Sequence, residues 1–213
     1  MWKGRVNVAR IAPRSLVNGP GARLVVWVQG CSLRCPGCIN ADMLPHEPRS
    51  LMEPEEIVKA VDAAAGDIEG LTFTGGEPFE QAEGLFRLAI LARERGLSVM
   101  SYTGYTLEEL LAMEDESVRG LLRCLDILVD GRFRRELSGP YLWRGSSNQR
   151  IILLTDRYAQ SLRGSREGAR QMEIEVDAGR ISFIGNLQEE LISEIAERLE
   201  REFGILLGRE SGT

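Results

Sequence analysis

Apolar and polar residues alternate at Val6, Val8 and Ile11, which predicts a short first strand. A turn-rich loop, Leu16-Val17-Asn18-Gly19-Pro20-Gly21, follows. Leu24 to Gln29 is nearly continuous in apolar residues and reads as a buried strand. Pro45, Pro48 and Pro54 keep the next stretch irregular, and a helix is predicted over 54–65 with Pro54 at its first position. Leu71-Thr72-Phe73 is a further strand. Leu85, Leu88, Ala89 and Ala92 recur at helical spacing and predict a helix over 80–95, closed by Gly96. Strands are expected at Leu97–Tyr102, Leu125–Val129 and 151–154. Thr106 and Glu109 form a capping box that opens a helix reaching Met113.

Strands and helices alternate, so the fold class is α/β with a mainly parallel sheet. In such folds chemistry collects at the C-terminal ends of strands. The loop at Cys31–Cys38, Thr74–Pro78, Ser101–Tyr105 and Asp130-Gly131 all follow strands, and so are expected on one rim. The tail has a different pattern. Gln171–Val176 and Arg180–Ile184 flank the turn Asp177-Ala178-Gly179, which predicts a β-hairpin. An amphipathic helix is expected over 187–203, with Asn186 as N-cap and Leu187, Leu191, Ile195 and Leu199 on one face. Residues 1–156 therefore read as a core, and 157–213 as a hairpin–helix extension packed on it, reached through a polar connection at Ser161–Arg170.

Composition narrows the function classes. The chain has 213 residues, 43% hydrophobic and 27% charged, the profile of an ordinary globular protein. No apolar run approaches the roughly 20 residues that span a bilayer, and no signal-like segment opens the chain, so a cytoplasmic protein without a membrane partner is expected. A net charge of −6 argues against nucleic acid as the main partner.

Cys31, Cys35 and Cys38 stand in the spacing C-x3-C-x2-C directly after a strand. Three thiolates on one loop make a soft-ligand site for iron–sulfur or zinc. Iron–sulfur ligation by three cysteines leaves one metal position open for a ligand. Zinc would need a fourth donor, and the nearest candidate is His46, which otherwise reads as a solvated turn residue. Cys124 reads as a buried structural thiol. After the next strand comes Gly75-Gly76-Glu77-Pro78, where two residues without Cβ permit close backbone approach to a ligand and Glu77 offers an anion.

Together the cysteine triad and Gly-Gly-Glu-Pro resemble the radical S-adenosylmethionine (SAM) superfamily. The narrower resemblance is to the activating proteins of anaerobic ribonucleotide reductase. It is carried by Asn18-Gly19-Pro20-Gly21, Gln29-Gly30-Cys31, Cys35-Pro36-Gly37-Cys38, Asn40 and Thr103-Gly104-Tyr105-Thr106. Leu128–Phe133 and Gly145–Arg150 extend it. Gly37 stands where many radical SAM loops have an aromatic residue, and Ile39 where this family often has an aromatic residue or His. The resemblance implies an open, partial (β/α) barrel. It implies a [4Fe–4S] cluster on Cys31, Cys35 and Cys38, with the SAM amino and carboxylate groups on the fourth iron and Glu77 beside the amino group. Adenine would lie against the backbone of Gly37, Cys38 and Ile39, and Ser101 and Asp130 are further SAM candidates. It also implies reductive cleavage of SAM to a 5′-deoxyadenosyl radical and a glycyl radical on the partner reductase. Flavodoxin or ferredoxin would be the electron donor.

Two other functions fit parts of the pattern. One is a radical SAM enzyme acting on a small molecule, of the 7-carboxy-7-deazaguanine synthase kind. The other is a non-enzymatic iron–sulfur or zinc module. Arg132, Arg134, Arg135 and Arg144 cluster around Phe133 and Trp143, either as a solvated face or as a docking surface for a partner.

Overall fold

The structure is a computed structural model and describes residues 2, 4–162, 172–177, 180–185 and 189–204. Its centre is a seven-stranded mixed sheet. In chain order the strands and helices up to the sheet's last strand are β1 (Val6–Ser15), β2 (Arg23–Val28), β3 (Leu51–Met52), α1 (Pro54–Ala63), β4 (Gly70–Gly75), α2 (Ala82–Glu94), β5 (Ser98–Tyr102), α3 (Leu107–Ala112), α4 (Glu116–Cys124), β6 (Ile127–Asp130), β7 (Ser138–Tyr141), β8 (Arg144–Ser146) and β9 (Arg150–Leu153). Strand order is β3-β1-β2-β4-β5-β6-β9. β2, β4, β5 and β6 run parallel, as the α/β reading requires. β1 and β9 pair antiparallel at the two flanks, which the expectation of a mainly parallel sheet does not contain. β7 and β8 form a separate hairpin.

Helices α1–α4 pack on one face of the sheet. Val26, Leu71, Phe73 and Leu128 from the strands meet Ile57, Leu85, Leu88 and Leu121 from the helices, and all are buried. The capping box at Thr106 and Glu109 is present with both bonds made, and α1 starts at Pro54 as expected. Helix α4 is absent from the sequence expectations although Val118, Leu121, Leu122 and Leu125 recur at helical spacing. Its Gly120 lies against the ring of Phe86, where a Cβ would come within 2.7 Å. The N-cap Asp115, whose side chain accepts from the backbone N–H of Ser117 at 2.8 Å, is a second signal.

The opposite face of the sheet holds a buried cation. Arg23 is fully buried, and its guanidinium donates to Thr72 Oγ1 at 2.6 Å, Ser98 Oγ at 2.8 Å and the carbonyl of Leu71 at 2.5 Å. Burial pulls its pKa down from the usual arginine range. The Tyr158 hydroxyl also bonds Ser98 Oγ, at 2.7 Å.

A short helix, α5 (Ala159–Leu162), precedes the tail hairpin of β10 (Met172–Asp177) and β11 (Arg180–Gly185), and α6 (Glu189–Phe203) follows it. The hairpin and the helix match the sequence reading. Asn186, Leu187 and the connection over 163–170 lie outside the described residues. Ile184 is buried against Ala12, Val17, Val25 and Trp27, and Glu173 Oε1 accepts from the backbone N–H of Leu16 at 2.6 Å. Among the described residues no helix is long and apolar enough to cross a membrane.

Candidate cluster and cofactor site

The parallel strands deliver three loops to one place. β2 runs into Gln29-Gly30-Cys31, and this loop is tied down from both sides. Gly30 N–H donates to the Met43 carbonyl at 2.8 Å and Cys31 N–H to the Leu44 carbonyl at 3.0 Å. The loop after β4 bonds back to it. Gly76 N–H donates to the Val28 carbonyl at 2.7 Å and Glu77 N–H to the Gly30 carbonyl at 2.8 Å. Asn40 Nδ2 closes the far end of the cysteine loop on the Gly75 carbonyl at 3.2 Å.

A cavity of about 1060 Å³ opens among these loops. All three cysteines line it, as do Gly37 and Ile39 from the same loop. Gly75, Gly76 and Glu77 line it too. Ser101 and Asp130 are not among its lining residues. Ser101 is buried and donates its hydroxyl proton to the Tyr102 carbonyl. Asp130 is fully buried, pairs with the Arg150 guanidinium and accepts from the first N–H of α3, at Leu107. Both residues therefore support the rim from behind.

The glycines of Gly75-Gly76 also meet a need within the protein. A Cβ on Gly76 would fall 2.2 Å from the Gly30 carbonyl oxygen, and one on Gly75 would fall 2.6 Å from the Val28 nitrogen. They allow close approach to the neighbouring strand end.

Glu77 is 1% exposed and its carboxylate is spent on protein donors. Oε1 accepts from Thr103 Oγ1 at 2.8 Å and from Phe79 N–H at 3.0 Å, while Oε2 accepts from Gly104 N–H at 2.8 Å. It thus joins the β4 and β5 loops. Burial nevertheless outweighs these bonds and pushes its pKa up to about 7. The unfolded carboxyl loses its proton near 4.5, whereas the folded one keeps it until about 7. This residue therefore removes stability as pH rises through that interval and has no further effect above it. Glu77→Gln is expected to flatten stability between those pH values, measured by urea unfolding. A cation placed beside Glu77 would restore the anion, so binding of a cationic ligand near neutral pH is expected to release protons. Calorimetry in two buffers of different ionisation enthalpy reads that release.

Sequence reasoning missed a clamp beneath the loop. Glu80 Oε1 accepts from Ser32 N–H at 2.9 Å, Glu80 Oε2 lies 2.9 Å from His46 Nε2, and the Tyr105 hydroxyl is 3.5 Å from Oε1. His46 is therefore not a solvated turn residue: it is half-buried and holds the loop in place. The one local signal is Glu80 itself, an acidic residue three positions after Glu77. Cys124 is buried at the end of α4, as expected.

All four cysteines are free thiols. Among the described residues, no three Cys, His, Asp or Glu side chains stand close enough together to make a ready metal cage. The donor chemistry still fits an iron–sulfur cluster: three thiols share one loop and one cavity. Burial pushes the Cys31 and Cys38 thiols above their usual range. The protein by itself therefore does not hold them as thiolates, and a bound metal would have to do so.

The family model for single-cluster 4Fe-4S domains matches residues 17–152. The anaerobic ribonucleoside-triphosphate reductase-activating protein of Enterobacteria phage T4 is 33% identical over 156 residues, covering 71% of this chain and 96% of the relative. That of Vibrio cholerae serotype O1 is 36% identical over 159 residues, covering 70% of this chain and 99% of the relative. The chain belongs to the family of anaerobic ribonucleoside-triphosphate reductase-activating proteins. The activating protein of Escherichia coli K12 is similarly close, 32% identical over 152 residues, 68% of this chain and 96% of its own. Membership of the activating-protein family favours an iron–sulfur activase over a zinc module and over a small-molecule enzyme. Residues beyond 152 lie outside the matched family model. Among solved structures, QueE from Escherichia coli overlaps 48% of this chain and 52% of its own, with a TM-score of 0.37 and 16% identity.

Proposed function

We propose that this protein reductively cleaves SAM and generates a glycyl radical on a partner enzyme, an anaerobic ribonucleotide reductase. The observation that carries this reading is the meeting of three free thiols with Gly75–Glu77 in one cavity, in a chain of the activating-protein family. When bound, a [4Fe–4S] cluster and SAM supply the one-electron chemistry and the deoxyadenosyl radical. Cys31, Cys35 and Cys38 would hold the cluster, and three ligands leave one metal position for the SAM amino and carboxylate groups. Glu77 supplies the local negative charge for the amino group. The backbone of Gly37, Cys38 and Ile39 provides the adenine seat, while Ser101 and Asp130 act through the loops they anchor. No side-chain general base is required.

Finer parts of the reading belong here as well. The four parallel strands and their helices support an open, partial (β/α) barrel. Residues 1–156 are the core and 157–213 an extension seated on it. Flavodoxin or ferredoxin supplies the electron, and the setting is the cytoplasm.

The deciding experiment mixes the reduced, cluster-loaded protein with SAM and its cognate anaerobic reductase. Electron paramagnetic resonance should detect a glycyl-radical doublet that requires both proteins. Arg132 and Arg134 lie just past the end of β6. Reversing both charges is expected to lower the radical yield through weaker docking, and added salt should have the same effect on the unaltered pair. SAM cleavage without any partner radical, accompanied by turnover of 6-carboxytetrahydropterin, would replace the activase by the small-molecule enzyme.

A further inference from the structure

The tail hairpin lies beyond residue 152, where the matched family model ends, yet it reaches the cavity that holds the three cysteines. Residues directly opposite each other in an antiparallel pair share a face, and neighbours along a strand alternate. The register sets Glu173 opposite Ile184 and Ile174 opposite Phe183. Glu173 and Ile184 therefore share one face of the hairpin, and Ile174 and Phe183 the other.

The first face is the anchor. Ile184 is 2% exposed and packs with Val17, Val25 and Trp27. Glu173 Oε1 accepts from the backbone N–H of Leu16 at 2.6 Å. These contacts seat the hairpin on β1, β2 and the loop between them, and they turn the second face away from the sheet. On that second face Phe183 is half-buried and lines the cavity. Ile174 beside it is 50% exposed and stands outside the cavity lining. An apolar strip thus starts in the cavity at Phe183 and continues onto the surface at Ile174.

Continuity with the cavity sets this strip apart from a solitary exposed side chain, which needs no explanation. The cysteine loop and Gly75–Glu77 follow the ends of β2 and β4, so a cluster and SAM belong to the inner part of the cavity. An occupant that touches both Phe183 and Ile174 has to run from inside to outside. On the proposed function the partner's glycine-containing segment does so. Glycine has no side chain to grip, so apolar residues beside it in the partner must supply the hold. Ile174 and Phe183 offer them a fixed apolar surface.

We infer that Ile174 and Phe183 form a docking ledge for an apolar stretch of the partner next to its target glycine. This rests on the activase reading, and the test separates the two. Ile174→Ser and Phe183→Ala are made in the full chain and loaded with cluster. Leu111→Ser is the control, because Leu111 is 58% exposed on α3 and away from the cavity lining. Two constants are measured: the affinity for SAM alone by calorimetry, and the partner concentration that half-saturates glycyl-radical formation. Loss of one apolar contact predicts about a three- to tenfold rise in the second constant for each ledge variant. Their SAM affinity should change by less than about twofold, and Leu111→Ser should leave the second constant unaltered. An equal loss of SAM affinity would assign the ledge to SAM, and an unchanged second constant would leave it without a role in docking. A dimer of the unaltered chain that Ile174→Ser splits, with no change in the second constant, would assign the ledge to a second copy of this chain. Each of these three results overturns the inference. Failure of the unaltered protein to form any partner radical would instead refute the activase reading on which it rests.

Discussion

Replacing Cys31, Cys35 or Cys38 by alanine is expected to give a colourless protein after anaerobic reconstitution, whereas the unaltered chain should turn brown and hold about four irons. The three positions are not interchangeable with Cys124, which is buried at the far end of α4. Cys124→Ala should therefore keep its cluster and lose only a small packing contribution. The thiols of Cys31 and Cys38 are pushed up by burial, so the free protein gains nothing by holding them as anions. Removing one ligand takes away a bond that the metal itself must stabilise, and the remaining two thiols cannot compensate. Iron analysis and the charge-transfer absorption of the cluster measure the outcome. A cluster that survives in any of the three variants, or that disappears in Cys124→Ala, would overturn the ligand assignment.

Gly76→Ala is expected to destabilise the protein by about 3 kcal/mol or more, beyond ordinary overpacking. The added Cβ would sit 2.2 Å from the carbonyl oxygen of Gly30, and the offending atom is backbone, with no side-chain rotamer to relieve it. Gly30 is held by its own bond to Met43, so relief would have to move the base of the cysteine loop. The variant should lose stability and iron together. Gly66→Ala is the control. Gly66 has a positive φ of +93°, but nothing lies within 4 Å of the point a Cβ would occupy there. Its cost should stay near the backbone contribution of about 1 kcal/mol. Thermal unfolding of both variants tests the contrast, and equal losses would show that the Gly76–Gly30 approach does not matter.

Much of this arrangement is legible in the sequence because local rules and tertiary structure agree. The buried run from Leu24, the capping box at Thr106 and the helical spacing of Leu85 to Ala92 all appear where periodicity puts them. The cysteine spacing and Gly-Gly-Glu-Pro point to one cavity because each follows a parallel strand. What stays hidden depends on partners distant in the chain. Nothing local indicates that β9 returns antiparallel to β6, or that Gly120 lies against Phe86. His46 and Glu80 form their clamp across 34 positions, and neither residue announces the other. Asp130 looks like a ligand because it ends a strand, but Arg150 claims both of its oxygens from the adjacent antiparallel strand.

The bonds that knit the β2 and β4 loops have a consequence for the order of assembly. Val28 and Gly30 receive donors from Gly76 and Glu77, and Gly75 receives one from Asn40, so the cysteine loop gains its shape only once β4 has docked beside β2. In small metal-nucleated domains the ion arrives first and the chain condenses around it. Here the bonding points to the opposite order: the sheet would form first, and the inorganic group would then draw the three thiols together at a rim already in place.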